Sequence, residues 1–143
     1  FILLGLIAFV PASGPLDVTW PNWLVSATRV IGWLQLAYAL VMGGLGLLAL
    51  GGNLTAVPRP KPNGWLVQRG AYALVRHPIY SGIIAGAFGL ALLRQGEITL
   101  ILAVLLLILF DVKSRHEEQW LAEQYPPYTA YQKRVRKLIP FVY

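Results

Sequence analysis

Cysteine is absent from this chain of 143 residues. Disulfides, thiolate metal centres and a cysteine nucleophile are therefore excluded. Charge is scarce too: 13% of the residues are Asp, Glu, Lys or Arg, where soluble domains carry about 25%. The two histidines form no histidine-rich tract, which argues against a metal site. No segment has the strand, Gly-rich turn and helix order of a dinucleotide fold, so soluble-type nucleotide binding has no support. The chain opens in an apolar stretch, residues 1–10, without the basic region and cleavage site of a signal peptide. That stretch reads as the remnant of a longer first helix.

What the chain does have is apolar surface. Hydrophobic residues make up 57% of it, and its mean hydropathy is +0.59. A single domain of this length has too little interior to hide so much, so the bilayer is the natural solvent. The net charge of +6 would suit a nucleic-acid binder. The basic residues, however, flank apolar runs, which is the pattern of membrane topology and not of a nucleic-acid surface.

Four apolar segments follow one another. Residues 1–10 are short for a span. Pro11, Gly14, Pro15 and Pro21 then predict a loop, with Trp20 and Trp23 at interfacial positions. Residues 30–50 carry no charge and meet the roughly 20 needed to cross a bilayer. Gly51, Gly52 and Asn53 end that run, and Pro58, Pro60 and Pro62 predict an irregular loop reaching to His77. The third segment, residues 78–93, starts at Pro78, a favoured first helical residue. The fourth covers residues 98–110. Arg94 to Glu97 is a tight turn, so segments three and four form a helical hairpin. The expected fold is an all-α integral membrane protein with about four transmembrane segments, one domain over residues 1–143, followed by amphipathic cytosolic helices.

Ten of the twelve basic residues lie in two places. Arg59, Lys61, Arg69 and Arg76 are in the long loop; Lys113, Arg115, Lys133, Arg134, Arg136 and Lys137 follow the last span. The hairpin puts both groups on one face, and the positive-inside rule makes that face cytoplasmic. Gly82, Gly86 and Gly89 read as close packing within the hairpin, and Gly43, Gly44 and Gly46 invite the same reading.

Two clusters on the basic face are varied enough in chemistry to suggest a site. The first includes Tyr72, Arg76, His77, Pro78 and Tyr80. Pro78 biases His77 toward an extended conformation and opens a helix whose free N–H groups favour anions. The tyrosines are interfacial residues or rings that stack on a flat ligand. The second cluster is Glu117 and Glu118, followed by Tyr128, Tyr131 and Arg134. Adjacent glutamates project in different directions from a helix, which argues against a dicarboxylate metal centre. One suits hydroxyls or a cationic amine, while the other pairs with Lys113 or Arg115. Asp111 reads as a boundary residue, and Arg134 with its basic neighbours reads most simply as a headgroup contact.

The run Gly70-Ala71-Tyr72, Arg76-His77-Pro78-Ile79-Tyr80-Ser81-Gly82, Glu117-Glu118, Tyr128-Thr129-Ala130-Tyr131, Arg134-Val135 and Ile139-Pro140-Phe141 resembles the isoprenylcysteine carboxyl methyltransferase family. That family is related to the membrane phospholipid N-methyltransferases. The resemblance covers residues 53–141, the expected cofactor-binding core. It implies a multi-pass membrane enzyme that uses S-adenosylmethionine in a cytosol-facing pocket closed by the C-terminal segment, with a lipophilic or prenylated acceptor entering from the bilayer. Carried over, it implies a pocket lined by Tyr72, His77, Pro78 and Tyr80, with Glu117 and Glu118 binding the cofactor. Tyr131 and Arg134 would lie where cofactor and acceptor meet. Carboxyl methyltransferases often have arginine four residues before the paired glutamates; here Lys113 stands there. The expectations are thus isoprenylcysteine-like carboxylate O-methylation, phospholipid N-methylation, a non-catalytic membrane protein or transporter, or a sterol-type reductase.

Overall fold

The computed structural model describes residues 2–9, 20–53 and 63–143. The expected turn residues Pro11, Gly14, Pro15, Pro58, Pro60 and Pro62, with the basic Arg59 and Lys61, lie outside the described residues. Within them the chain is helical: α1 (Ile2–Phe9), α2 (Asn22–Leu50), α3 (Pro78–Arg94), α4 (Glu97–Gln124) and α5 (Tyr128–Arg134), with 3-10 turns at Gly51–Asn53 and Gly70–Ala73.

Helix α2 begins earlier than its uncharged run. The Pro21 carbonyl accepts N–H bonds from Leu24 at 2.9 Å and Val25 at 3.0 Å, and nothing between Pro21 and Val30 breaks a helix. With the 3-10 turn it reaches 32 residues and is long and apolar enough to cross a bilayer. Much of its apolar surface faces outward: Leu34 is 65% exposed, Leu40 79% and Leu48 79%. Only an apolar surrounding satisfies such a face. Of the four expected spans, α2 alone among the described helices passes that test; α3, at 17 residues, is a shorter apolar helix.

Helix α4 corrects a second expectation. Separate amphipathic helices were expected after the fourth segment, but α4 runs unbroken for 28 residues through Glu117 and Glu118. The reason is local: no Gly or Pro occurs between Glu97 and Gln124, and Pro126-Pro127 stop the helix. Only the short α5 follows.

The described chain divides into two compact units, to both of which α2, α3 and α4 contribute residues. The first comprises Phe1–Val41 and Gly82–Leu109. Its hairpin turn is closed by Gly96 N–H to the Ala91 carbonyl at 3.3 Å, with Gln95 in the left-handed region at φ 52. The Thr99 hydroxyl donates to the Gly96 carbonyl at 2.7 Å, and Glu97 sits in the first turn of α4, where a negative charge favours the helix dipole. The Arg94 guanidinium donates to the Ile7 carbonyl at 3.0 Å, tying α1 to the end of α3. Gly89 and Gly86 pack α3 against α2 and not within the hairpin. A Cβ on Gly89 would stand 2.8 Å from the Gly32 carbonyl oxygen, and one on Gly86 3.4 Å from the Ala39 methyl. The glycines bring two backbones close, as membrane helices require, but the partner is α2.

The second unit comprises Met42–Ser81 and Phe110–Tyr143. Gly46 gives close approach here, since a Cβ would meet the Ile79 side chain at 3.0 Å, whereas Gly43 and Gly44 have open space. Gly70 enters its 3-10 turn at φ 64, a conformation glycine adopts without cost. The extended residues after that turn pair with the chain beyond α5. Val75 bridges Arg136; Arg76 N–H donates to the Arg136 carbonyl at 2.8 Å, and His77 N–H to that of Lys137 at 3.1 Å. Beneath this pairing lies the unit's core of Ala71, Val75, Tyr128, Tyr131 and Leu138, all 2% exposed or less.

Candidate functional site

Three segments of the second unit converge: the extended stretch entering α3, the polar part of α4, and α5 with the chain after it. His77 caps α3, its carbonyl accepting the Ser81 N–H at 2.9 Å, so the ring is fixed at the helix start. The backbone pairing with Lys137 fixes it from the other side.

The adjacent glutamates meet at that ring. His77 Nε2 lies 3.1 Å from Glu118 Oε1, and Nδ1 lies 3.8 Å from Glu117 Oε2. Two side chains that diverge from one helix cannot easily share a point-like ion, but an imidazole presents its nitrogens on two sides and spans the gap. Glu117 also accepts the Tyr80 hydroxyl at 2.6 Å and has the Lys113 ammonium at 3.8 Å. Arg115 pairs instead with Asp111, at 2.8 Å.

Glu118 is the more heavily held of the two. Arg76 Nε donates to it at 2.7 Å and a terminal nitrogen at 3.3 Å; Gln132 Nε2 donates at 3.0 Å. Burial alone would raise its carboxyl, but the bonds from His77 and Arg76 and their charges prevail and hold it at about 2. Glu118 is therefore an anion at neutral pH. Arg76 in turn donates to the carbonyls of Gln132 and Val135, so one guanidinium joins the α3 entry, α4 and α5.

Aromatic rings form the apolar side. His77 stacks on Tyr80 with centroids 5.4 Å apart and planes at 1°, and Tyr80 stacks on Phe110 at 4.5 Å. Lys113 Nζ stands 5.1 Å from the Tyr80 ring centre, a cation–π distance. The Tyr131 hydroxyl donates to the Tyr72 carbonyl. Burial, then the Glu117 charge, pushes the Tyr72 phenol up to about 12; burial likewise raises Tyr131. Neither is a proton donor or base at neutral pH.

A cavity of about 390 Å³ opens beside Glu118. Arg76, Arg115, Arg136 and Lys137 line it together with Glu118, and Val142 and Tyr143 supply apolar surface. The wall carrying Lys137 and Tyr143 is held by Asp111, which accepts Lys137 Nζ at 2.7 Å and the Tyr143 hydroxyl at 2.8 Å. Burial would raise the Asp111 carboxyl, but its bonds to Lys137, Tyr143 and Arg115 bring it to about 2. The expected boundary residue is thus also an anchor.

Of the residues expected at the site, His77, Tyr80, Glu117 and Glu118 are brought together. Pro78 is buried at the start of α3, where it shapes the His77 position. Tyr72 and Tyr131 bond to each other, with Tyr131 2% exposed. Arg134 is exposed and donates to Gln68 at 3.1 Å, not to either glutamate. The sequence reading credited Arg76 and Lys137 with charge only and passed over Gln132. Arg76 had a signal in its place beside His77; Gln132 had none, because only the α4–α5 turn brings it to Glu118.

Residues 27–127 match the family model described as phospholipid methyltransferase. The cobalt-zinc-cadmium resistance protein CzcN of Cupriavidus metallidurans is 30% identical over 81 residues, which are 56% of this chain and 38% of that protein. In fold, the chain is similar to the eukaryotic intramembrane Ras methyltransferase ICMT (isoprenylcysteine carboxyl methyltransferase). The TM-score is 0.72 at 18% identity, over 99% of this chain and 61% of that one. The chain therefore spans 38% and 61% of the two proteins it is compared with. The resemblance read from residues 53–141 is borne out. On the match over residues 27–127, this chain belongs to the phospholipid methyltransferase family.

Proposed function

We propose that the chain is a membrane methyltransferase that binds S-adenosylmethionine beside Glu118 and transfers its methyl group to a lipophilic acceptor. The family is one of S-adenosylmethionine-dependent methyltransferases. The observation that carries the reading is Glu118: an ionised carboxylate, fixed by three side chains, on the wall of a cavity of about 390 Å³, within the range of small-molecule sites.

The residues present fit the cofactor. Glu118 can accept bonds from ribose hydroxyls or an amino group, Arg136 can face a carboxylate, and Val142 with Tyr143 offers surface for a flat base. The cofactor supplies a methyl group already activated on a sulfonium sulfur. The chain's own part is alignment and exclusion of water. His77, Arg76 and Gln132 hold Glu118 in one rotamer, and Asp111 holds the Tyr143 wall in place.

The acceptor we favour is a carboxylate, as on an isoprenylcysteine-like lipid. A carboxylate needs no base, whereas an ammonium acceptor must first lose a proton. Glu118, held at about 2, is a weak base, and Glu117 already accepts a bond from Tyr80. The cationic lining of the cavity also suits an anionic acceptor. The family match over residues 27–127 favours the second reading, N-methylation of a phospholipid amine. The metals in the name of CzcN are not carried to this chain: among the described residues no three His, Cys, Asp or Glu side chains gather to hold an ion. We further propose that the second unit's polar cluster faces the cytoplasm and that α1, α3 and the apolar run of α4, residues 98–110, join α2 in the bilayer.

Membranes containing the protein, supplied with donor labelled in the methyl group, test both readings. A labelled lipid that releases volatile methanol in alkali is an ester and supports carboxylate methylation. An alkali-stable label on a headgroup amine supports the second reading, and no labelled lipid in any extract removes the methyltransferase reading.

A further inference from the structure

Residues 139–143 form an apolar turn that the fold holds outward. Phe141 is 85% exposed and Val142 71%, while neighbouring Leu138 is 1% exposed. The turn is built, not frayed. Leu138 and Ile139 both donate N–H bonds of 2.7 Å to the Tyr143 carbonyl, and Val142 N–H donates to the Ile139 carbonyl at 3.1 Å. Phe141 sits at φ 64, in the left-handed region that a bulky residue rarely adopts. That backbone cost is borne while the ring gains no protein contact that buries it.

The depth of the turn is set by Asp111. The Tyr143 hydroxyl and Lys137 ammonium both bond Asp111 Oδ1, at 2.8 and 2.7 Å. Asp111 is the first charged residue after the apolar run of α4, the level at which such a run meets headgroups. The charge around the turn is one-sided. From Tyr125 to Tyr143 there is no Asp or Glu, but there are Lys133, Arg134, Arg136 and Lys137. Asp111 neutralises Lys137. Lys133 and Arg134 are exposed, and the Gln68 that Arg134 contacts is neutral.

We propose that the 139–143 turn is an interfacial anchor that inserts Phe141 into an anionic leaflet, with Lys133 and Arg134 engaging its acidic headgroups. Apolar side chains pinned at headgroup depth beside cations that no described carboxylate neutralises are what an anionic lipid surface recognises. The inference rests on the proposed entry of the apolar run of α4 into the bilayer beside α2, and not on methyl transfer.

Because the chain lacks cysteine, Phe141→Cys takes a spin label at one place. The labelled protein is reconstituted in nanodiscs of phosphatidylcholine, with or without phosphatidylglycerol, and collisions with oxygen and with a water-soluble nickel chelate are compared. The expected result is a label shielded from nickel in the anionic discs and more exposed in the neutral ones. Lys133→Gln/Arg134→Gln should reduce that difference, by up to about fivefold per charge. Raising salt to about 1 M, where the screening length is about 3 Å, should act the same way without a substitution. Equal nickel access in both discs overturns the proposal, and so does a difference that survives both the variant and the salt.

Discussion

The Arg76 guanidinium grips the Glu118 carboxylate with two bonds, 2.7 and 3.3 Å long, across 42 residues of sequence. Both side chains are mostly buried, at 12% and 11% exposure. Arg76 also bonds two carbonyls near α5. It therefore ties the entry of α3, α4 and the α5 region together at the site.

Arg76→Gln should destabilise the protein by about 3 kcal/mol, because it leaves Glu118 charged and short of its partner. Chemical unfolding in detergent, followed by tryptophan fluorescence, measures it. A loss no larger than that of Arg134→Gln would show the pair to be surface decoration.

The pH dependence has a definite sign. The folded carboxyl of Glu118 stands at about 2 against an ordinary 4.5, so the folded state holds the proton less tightly than the unfolded one. Its stabilising contribution is full above about 4.5 and is lost as pH falls toward 2. Asp111 is lowered into the same range, so wild-type stability should fall steeply there. Glu118→Gln should lower stability at neutral pH and flatten the acid limb. An unchanged slope between pH 5 and pH 2, roughly the window of these two shifts, would contradict the assignment.

Glu118→Ala should weaken S-adenosylmethionine binding by tenfold or more, as expected when a charged hydrogen-bond partner worth about 1.5–3 kcal/mol is lost, and His77→Ala should weaken it through the carboxylate that His77 positions. Calorimetric titration of the detergent-solubilised protein reads this directly. Circular dichroism confirms that the helices remain. Wild-type affinity in both variants would move the cofactor elsewhere.

Gly89→Ala should cost about 1–3 kcal/mol, since its Cβ would lie 2.8 Å from the Gly32 carbonyl oxygen and the backbones must part. Gly43→Ala is the control: nothing lies within 4 Å of its Cβ, and the helical position should gain about 0.5–1 kcal/mol. Thermal melting of the two variants should shift in opposite directions; a shift in the same direction would refute the α2–α3 packing.

Single cysteines at Gln95 and Lys133 test the topology. In sealed vesicles a membrane-impermeant maleimide should label one of them from outside and the other only after lysis. Labelling of both from the same side would rule out the hairpin.

The sequence by itself determined what depends on neighbours along the chain. The uncharged residues 30–50 fixed a helix long and apolar enough to cross a bilayer, Pro78 fixed the start of α3, and Arg94 to Glu97 fixed the turn. The ordered motifs from Gly70 to Phe141 pointed to the family. These rest on periodicity, helix-breaking residues and transfer of side chains to lipid, all of which act locally. Tertiary structure decided what depends on distant contacts. Glu117 and Glu118 diverge on their own helix and become one site only because His77 stands between them. Gly89 meets α2 because of how the helices cross, which spacing within α3 does not encode. Gln132 reaches Glu118, and Asp111 holds Lys137 and Tyr143, because the chain after α4 folds back on it. Composition reports no such pairing, since an isolated carboxylate has no preferred partner until backbone hydrogen bonds, here those of Arg76 and His77 to Arg136 and Lys137, bring the segments together.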